Sequence, residues 1–212
     1  MLRRILIGSA ASGAAAAALA SLPKRLRTEE AKPDSPKTIA SEASPKLAPR
    51  SAICMIIPSA NSSVRGVVSF YQESPADSTK IVANVWGLNP NSLHGFHIHE
   101  WGDLTKGCDS AGPHFNPHGK SHGAPSSPER HVGDLGNIKT NERGAGFIST
   151  TDQLISLFGD YSVVGRSVVI HEGEDDLGRG ASEASKTTGN SGGRLGCGVI
   201  GLSAEFKNLP PQ

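Results

Sequence analysis

The chain has 212 residues, a formal charge of +1 and all eight of its histidines between positions 94 and 171. The near-neutral total hides a division: Met1–Arg50 carries nine basic residues against four acidic ones and no aromatic side chain, which leaves the remainder with 12 basic and 16 acidic residues. A mildly acidic body with few aromatics and no basic stripe excludes a nucleic-acid-binding surface.

The first segment reads as an address. Met1-Leu-Arg-Arg4 is a basic start, Ile5–Ala20 is Ala-rich and apolar, and Ala18-Leu-Ala20 supplies small residues at the positions a signal peptidase reads. That order predicts a secretory signal over 1–20, removed in the mature protein. The absence of any acid before Glu29, with Lys24-Arg-Leu-Arg27, also suits a mitochondrial or plastid transit peptide. An uncleaved anchor fits less well, because Gly8, Ser9, Ser12 and Gly13 dilute a short stretch, so no stable membrane insertion is expected once the leader is gone. Residues 21–50 contain Pro23, Pro33, Pro36, Pro45 and Pro49 among scattered charges and predict a linker or pro-segment without a core of its own.

From Ser51 the apolar pattern becomes short and turn-punctuated, and 51–202 is expected to form the folded domain. Ala52–Ile57, Val64–Tyr71, Lys80–Trp86, Leu93–His99, Gly144–Ser149, Ser167–His171 and Leu195–Leu202 are strand candidates, Lys80–Trp86 with Ile81, Ala83 and Val85 on one face. Thr151–Phe158 comes nearest to helical spacing, enough for one or two turns. Seven or eight short strands with Gly- and Pro-rich connections predict an all-β antiparallel sandwich or barrel. Two connections, 100–129 and 172–194, are long and carry little strand or helix signal. Structureless loops of that length are rare in compact domains unless they have a function. Both follow a strand that ends in histidine.

His97-Ile-His99 puts two imidazoles on one face of a strand, within reach of one metal ion. His114, His122, His131 and Asp134 follow in one loop and its exit, and His171 closes the set after Val168-Val-Ile170. A carboxylate beside imidazole at 131–134 suits zinc. Seven ligand-type residues exceed the four that one tetrahedral ion takes. Two four-coordinate ions would need one ligand to serve both, which an imidazole deprotonated at both nitrogens can do. Spacing by itself leaves that sharing open.

Gly95-Phe-His-Ile-His-Glu-Trp-Gly102, Gly112-Pro-His-Phe-Asn-Pro117, Arg130-His-Val-Gly-Asp-Leu-Gly-Asn137, Asp175-Asp-Leu-Gly178 and Arg194-Leu-Gly-Cys-Gly-Val-Ile-Gly201 together resemble the Cu/Zn superoxide dismutase family, in family order from about Ala52 to Leu202. The resemblance implies an eight-stranded antiparallel Greek-key β-barrel with two long functional loops. It implies copper on His97, His99, His114 and His171, and zinc on His114, His122, His131 and Asp134, with His114 shared. Asp175 then ties His171's side of the site to a zinc ligand, Arg194 attracts superoxide, and Cys108 pairs with Cys197 while Cys54 stays a buried thiol. His94 is a packing histidine and His118 a solvated loop residue. Copper alternating between two oxidation states turns superoxide and protons into dioxygen and hydrogen peroxide in this family, whose members form homodimers.

Three features depart from the family pattern. Glu183-Ala184 stands where many members have two acids, and the usual lysine comes one position early, as Lys186 beside Thr187; anion steering is expected to change and the chemistry to survive. A tail, 203–212, follows the last strand near the place where family dimers meet. Asn61-Ser-Ser63 is an N-glycosylation tripeptide, relevant if the chain enters a secretory pathway. The rival reading is a non-catalytic copper-binding or copper-delivery domain of the same fold, but such relatives lose copper ligands or the arginine, which this chain retains. A cupin would want a different spacing after His-x-His, and an adhesion sandwich leaves the histidines unexplained.

Overall fold

The computed structural model describes residues 47–208 and Pro210, so the readings of the leader and of the linker up to position 46 lie outside the described residues. Among the described residues nine strands run as β1 (Arg50–Pro58), β2 (Arg65–Gln72), β3 (Thr79–Trp86), β4 (Leu93–His99), β5 (Thr105–Cys108), β6 (Asp134–Lys139), β7 (Gly146–Asp152), β8 (Ser167–His171) and β9 (Arg194–Ser203), with one short α-helix, α1 (Glu183–Thr187). Eight of them form one antiparallel sheet in the order β6-β4-β8-β9-β1-β2-β3-β7. A bridge between Thr140 and Gly146 brings its two outer strands together and nearly closes a barrel. Chain connections skip strands: β3 reaches β4 past β7 and β6, and β7 reaches β8 past β6 and β4. These overlapping skips make the Greek-key arrangement.

The barrel interior follows from alternation. Phe70, Ile81, Phe96, Ile98, Ile138, Ile170 and Ile200 come from six different strands and are all buried in one core. A smaller cluster, Cys108, Ala111, Val169 and Cys197, lies outside the barrel wall beneath the first long loop. This second layer explains why all five residues of β8 are buried. A strand covered on both faces needs no polar side.

Three details differ from the sequence expectation. Strand β1 begins at Arg50, whose guanidinium donates to Leu157 O at 2.8 Å and lies 4.5 Å from the centre of the Phe158 ring. Thr151–Phe158 forms no helix: its first two residues end β7, and Asp152 Oδ1 then accepts from Leu154 N and Ile155 N at 2.8 and 2.9 Å. That side-chain turn competes with helical bonding and drops Ile155 and Leu157 into the core. Strand β6, hidden inside a ligand motif with Leu135 and Ile138 as its apolar residues, has too little hydrophobic alternation to be seen beforehand. The first long connection also contains β5 and a turn of 3-10 helix at Asp109–Ala111, and the second contains α1, which Ser182 caps by accepting from Ser185 N. No helix among the described residues is long and apolar enough to cross a membrane.

Candidate metal centre

The pleat of β4 sorts its residues: Phe96 and Ile98 point into the core, and His97 and His99 point outward beneath the long loops. On β8, opposite β4, Val169 and His171 take the same outward phase, with Val169 across from His97. Strand β6 brings Asp134 opposite His97, with a register shift between Gly95 and His97 that turns this end of the ladder. Such bulges re-aim side chains beside functional sites. The first long loop is stitched back onto β4 through Phe115 N to Ile98 O (2.8 Å) and Ile98 N to Gly133 O (2.9 Å), which seats His114 across from His99.

Two buried ligand sets result. His97, His99, His114 and His171 offer nitrogens within 4.8 Å of one another, and so do His114, His122, His131 and Asp134 with nitrogens and a carboxylate oxygen. In the second set Asp134 Oδ1 stands 2.9 Å from His114 Nδ1, 2.9 Å from His122 Nδ1 and 3.1 Å from His131 Nδ1. Three imidazoles therefore converge on one oxygen, an arrangement that hydrogen bonding alone does not satisfy. In the first set the free nitrogens are decided by what holds the others. His99 Nδ1 donates to Gly112 O at 2.8 Å and His171 Nδ1 to Gly192 O at 3.3 Å, so both present Nε2, and these two atoms lie 3.3 Å apart. His97 donates Nε2 to Asp175 at 2.9 Å and presents Nδ1. Buried His97 Nδ1 and His114 Nε2 have no hydrogen-bond partner. His114 thus turns Nδ1 to one set and Nε2 to the other.

Asp175 spans the two sets: Oδ2 takes the hydrogen of His97 and Oδ1 that of His122, at 2.7 Å. The partner on the first set is His97, not His171, and Asn137 of β6 holds the Asp175 backbone in place by accepting from its N and donating to its O, each at 2.8 Å. Carboxylates of this kind fix ring orientation and tautomer in metal sites. His94 uses Nδ1 on His171 O (2.9 Å), and its Nε2 lies 2.8 Å from Ser92 Oγ, so it packs and ligates nothing. His118 stands apart, edge-on to Tyr161 with ring centres 5.1 Å apart.

At His97, His99, His114, His171 and Asp134 electrostatics favour the metal-ready protonation state, whereas at His122 they favour a proton that a metal ion would displace. Burial, reinforced by neighbouring imidazoles, holds His97 and His99 well below the usual histidine range and His171 down to about 4. Burial also lowers His114 against the pull of Asp134. For His122 burial is outweighed by Asp134 and Asp175, which raise it to about 9. Asp134 is held far below the ordinary carboxylate range because contacts from His114, His122 and His131 overcome its burial. Neutral imidazoles and an ionised carboxylate are the forms that bind metal.

The first set opens to solvent through a cavity of about 340 Å³ bounded by His99, His114, His171, Ala184, Thr188 and Arg194, among others. Arg194 donates Nη1 to Cys108 O (2.6 Å) and Nη2 to Gly112 O (2.7 Å), so the first long loop sets its position. A Cys108–Cys197 disulfide ties that loop to β9. Lys186 bonds back to Gly178 O, and uncharged Ala184 and Thr188 take the cavity wall. Three contributors escaped sequence reasoning. Gly112 O and Gly192 O orient ligand rings through backbone atoms that carry no residue signature. Arg130, buried, grips Asp152 at 2.6 Å and donates to Asp134 O at 2.9 Å, bracing the start of β6; its place in the Arg-His-x-x-Asp motif was the available signal.

A β-barrel with two adjoining ligand sets sharing one histidine defines a dinuclear metalloprotein. The copper/zinc superoxide dismutase family model matches residues 64–200. Similar relatives are the superoxide dismutases [Cu-Zn] of Cordyceps militaris (53% identity, 72% of this chain and 97% of the relative), Kluyveromyces lactis (57%, 68% and 92%) and Saccharomyces cerevisiae (58%, 66% and 91%). The chain belongs to the copper/zinc superoxide dismutase family.

Proposed function

We infer that this protein is a superoxide dismutase, an oxidoreductase that converts two superoxide anions and two protons to dioxygen and hydrogen peroxide. Copper is assigned to His97 Nδ1, His99 Nε2, His114 Nε2 and His171 Nε2, and zinc to His114, His122 and His131 Nδ1 with Asp134. The donor sets fit: four imidazoles suit copper, three with a carboxylate suit zinc, and the buried unpartnered nitrogens of His97 and His114 call for an acceptor of lone pairs. The observation that carries the reading is His114, one ring whose two nitrogens face two different ligand sets.

Bound copper supplies a one-electron couple, and bound zinc supplies fixed positive charge without redox chemistry. Arg194, permanently charged and aimed by two carbonyls, draws a small anion into the cavity and orients it. His114 Nε2, at the cavity floor, is the atom that takes and returns a proton, while Nδ1 stays engaged beside Asp134. Asp175 keeps His97 and His122 from rotating during turnover. The β-barrel and the disulfide hold these groups still.

His114→Ala tests the assignment. Zinc-site order and dismutation are expected to fail together, with activity falling by roughly a hundredfold or more, the scale of a lost proton-transfer group; activity near normal would refute a shared ring. A copper-delivery domain of the same fold would bind both metals without superoxide-dependent turnover. The complete copper set and Arg194 favour catalysis.

A homodimer is the proposed assembly. Met55, Ile57, Trp101 and Val199 are exposed, and Ser167 Oγ donates to Trp101 O (2.7 Å) beside Val199, so they adjoin across β1, β9 and the loop after β4. Sedimentation at micromolar concentration tests this, and a monomer would reject it. Export is the proposed destination, on the order of basic, apolar and small residues in 1–20. The mature N-terminus is then expected near Ser21 or farther in; an intact Met1 excludes cleavage.

A further inference from the structure

Residues of an antiparallel strand that alternate with the core face outward to solvent. On β2 and β3 the core takes Phe70, Ile81, Ala83 and Val85, which leaves Ser69, Val82 and Asn84 outside the barrel wall. Those three are nevertheless 1%, 1% and 4% exposed. The C-terminal segment reaches two of them, Ser69 and Asn84.

The contacts follow the strand register. Tyr71 pairs with Lys80, Ser69 with Val82 and Val67 with Asn84. At the first pair the Phe206 ring sits 5.8 Å from the Tyr71 ring and 5.0 Å from the Lys80 ammonium. At the second, Lys207 N donates to Ser69 Oγ at 3.0 Å. At the third, Asn84 Nδ2 donates to Pro210 O at 2.6 Å. The segment therefore runs antiparallel to β2, with one aromatic anchor and two backbone contacts spaced along it.

We infer that the outer face of β2–β3 is a peptide-binding groove, occupied by the chain's own C-terminal segment through Phe206, Lys207 and Pro210. The aromatic–cation pocket selects Phe206, and the two hydrogen bonds to backbone atoms fix its register. The groove adjoins Trp86 and Phe147, which share this face and are 41% and 38% exposed. This reading is independent of the metal centre.

Hydrogen exchange on the full chain tests it first: the Lys207 amide is expected to be protected and to exchange at least tenfold faster in Phe206→Ala. A chain ending at Ser203 is then mixed with a synthetic peptide of residues 204–212. The peptide is expected to bind the shortened chain and not the full one, and to bind at least tenfold more weakly when it carries Phe206→Ala. Dismutation stays unchanged throughout. A Lys207 amide that exchanges at the free-peptide rate in the full chain overturns the inference. So does a peptide that ignores the shortened chain or binds both chains equally. Should the shortened chain fail to fold, the Phe206→Ala exchange comparison decides.

Discussion

Gly189 lies so close to Asp175 that a Cβ on the glycine would stand 1.9 Å from Asp175 Oδ1 and 2.6 Å from His122 Nε2. The hydrogen bond between the carboxylate and the imidazole occupies the room a side chain would need, and the backbone there is left-handed, with φ +65°. Gly189→Ala is expected to displace Asp175 and free both His97 and His122. Loss of a partner of this type lowers metal affinity by about 10–100-fold. Competition with a chelator measures it, and unaltered retention of both ions would show that Asp175 holds nothing essential.

Arg194 separates charge from geometry. Arg194→Glu is expected to leave metal content intact, slow turnover by roughly tenfold or more, and invert its response to added salt, since steering effects of this kind span about 10–1,000-fold. Arg194→Lys retains the charge but loses the paired donation to Cys108 O and Gly112 O. Its rate is expected between the two, with the wild-type sign of salt dependence. Equal rates for lysine and glutamate would remove charge as the cause.

The disulfide closes 89 residues between Cys108 and Cys197. In the chain-entropy model such closure contributes about 4–5 kcal/mol. Cys197→Ser is expected to lower stability by that order in denaturant titration and also to reduce activity, because Cys108 O is one of the two anchors of Arg194. Loss of stability with activity per folded molecule unchanged would detach the bridge from the site.

Burial pushes the Cys54 thiol up to about 12. At pH 8 its thiolate fraction is then about a thousandfold below that of a free cysteine, by the pKa difference alone. Alkylation of the native protein is expected to be correspondingly slow and to appear with unfolding. A folded-state value above the unfolded one contributes stability that is full below pH 9 and lost as pH rises toward 12. Cys54→Ala should remove that alkaline loss. Rapid labelling at pH 8 would place the thiol at the surface.

Much of the centre was legible beforehand because metal chemistry is written in residue types. His97 and His99 are two apart on a strand, so period-two geometry alone aims both rings the same way. Seven ligand-type residues for two four-coordinate ions pointed to a shared residue, and spacing left that sharing open. It did not say which nitrogen each ring presents. That choice depends on Gly112 O, Gly192 O and Asp175, which lie 13, 21 and 78 residues from the rings they hold.

Local pattern, hydrophobic alternation and donor type thus determined the all-β class, most of the strands and the seven candidate ligand residues, since each is a property of a residue and its near neighbours. Tertiary structure decided the rest. It set His97 rather than His171 against Asp175, laid the Asp152 turn where helical spacing suggested a helix, turned Lys186 away from the cavity, and brought Lys207 and Pro210 onto the outward face of β2 and β3. Each of these depends on which distant backbone atom comes within hydrogen-bond reach once the barrel closes, and no periodicity along the chain encodes that distance.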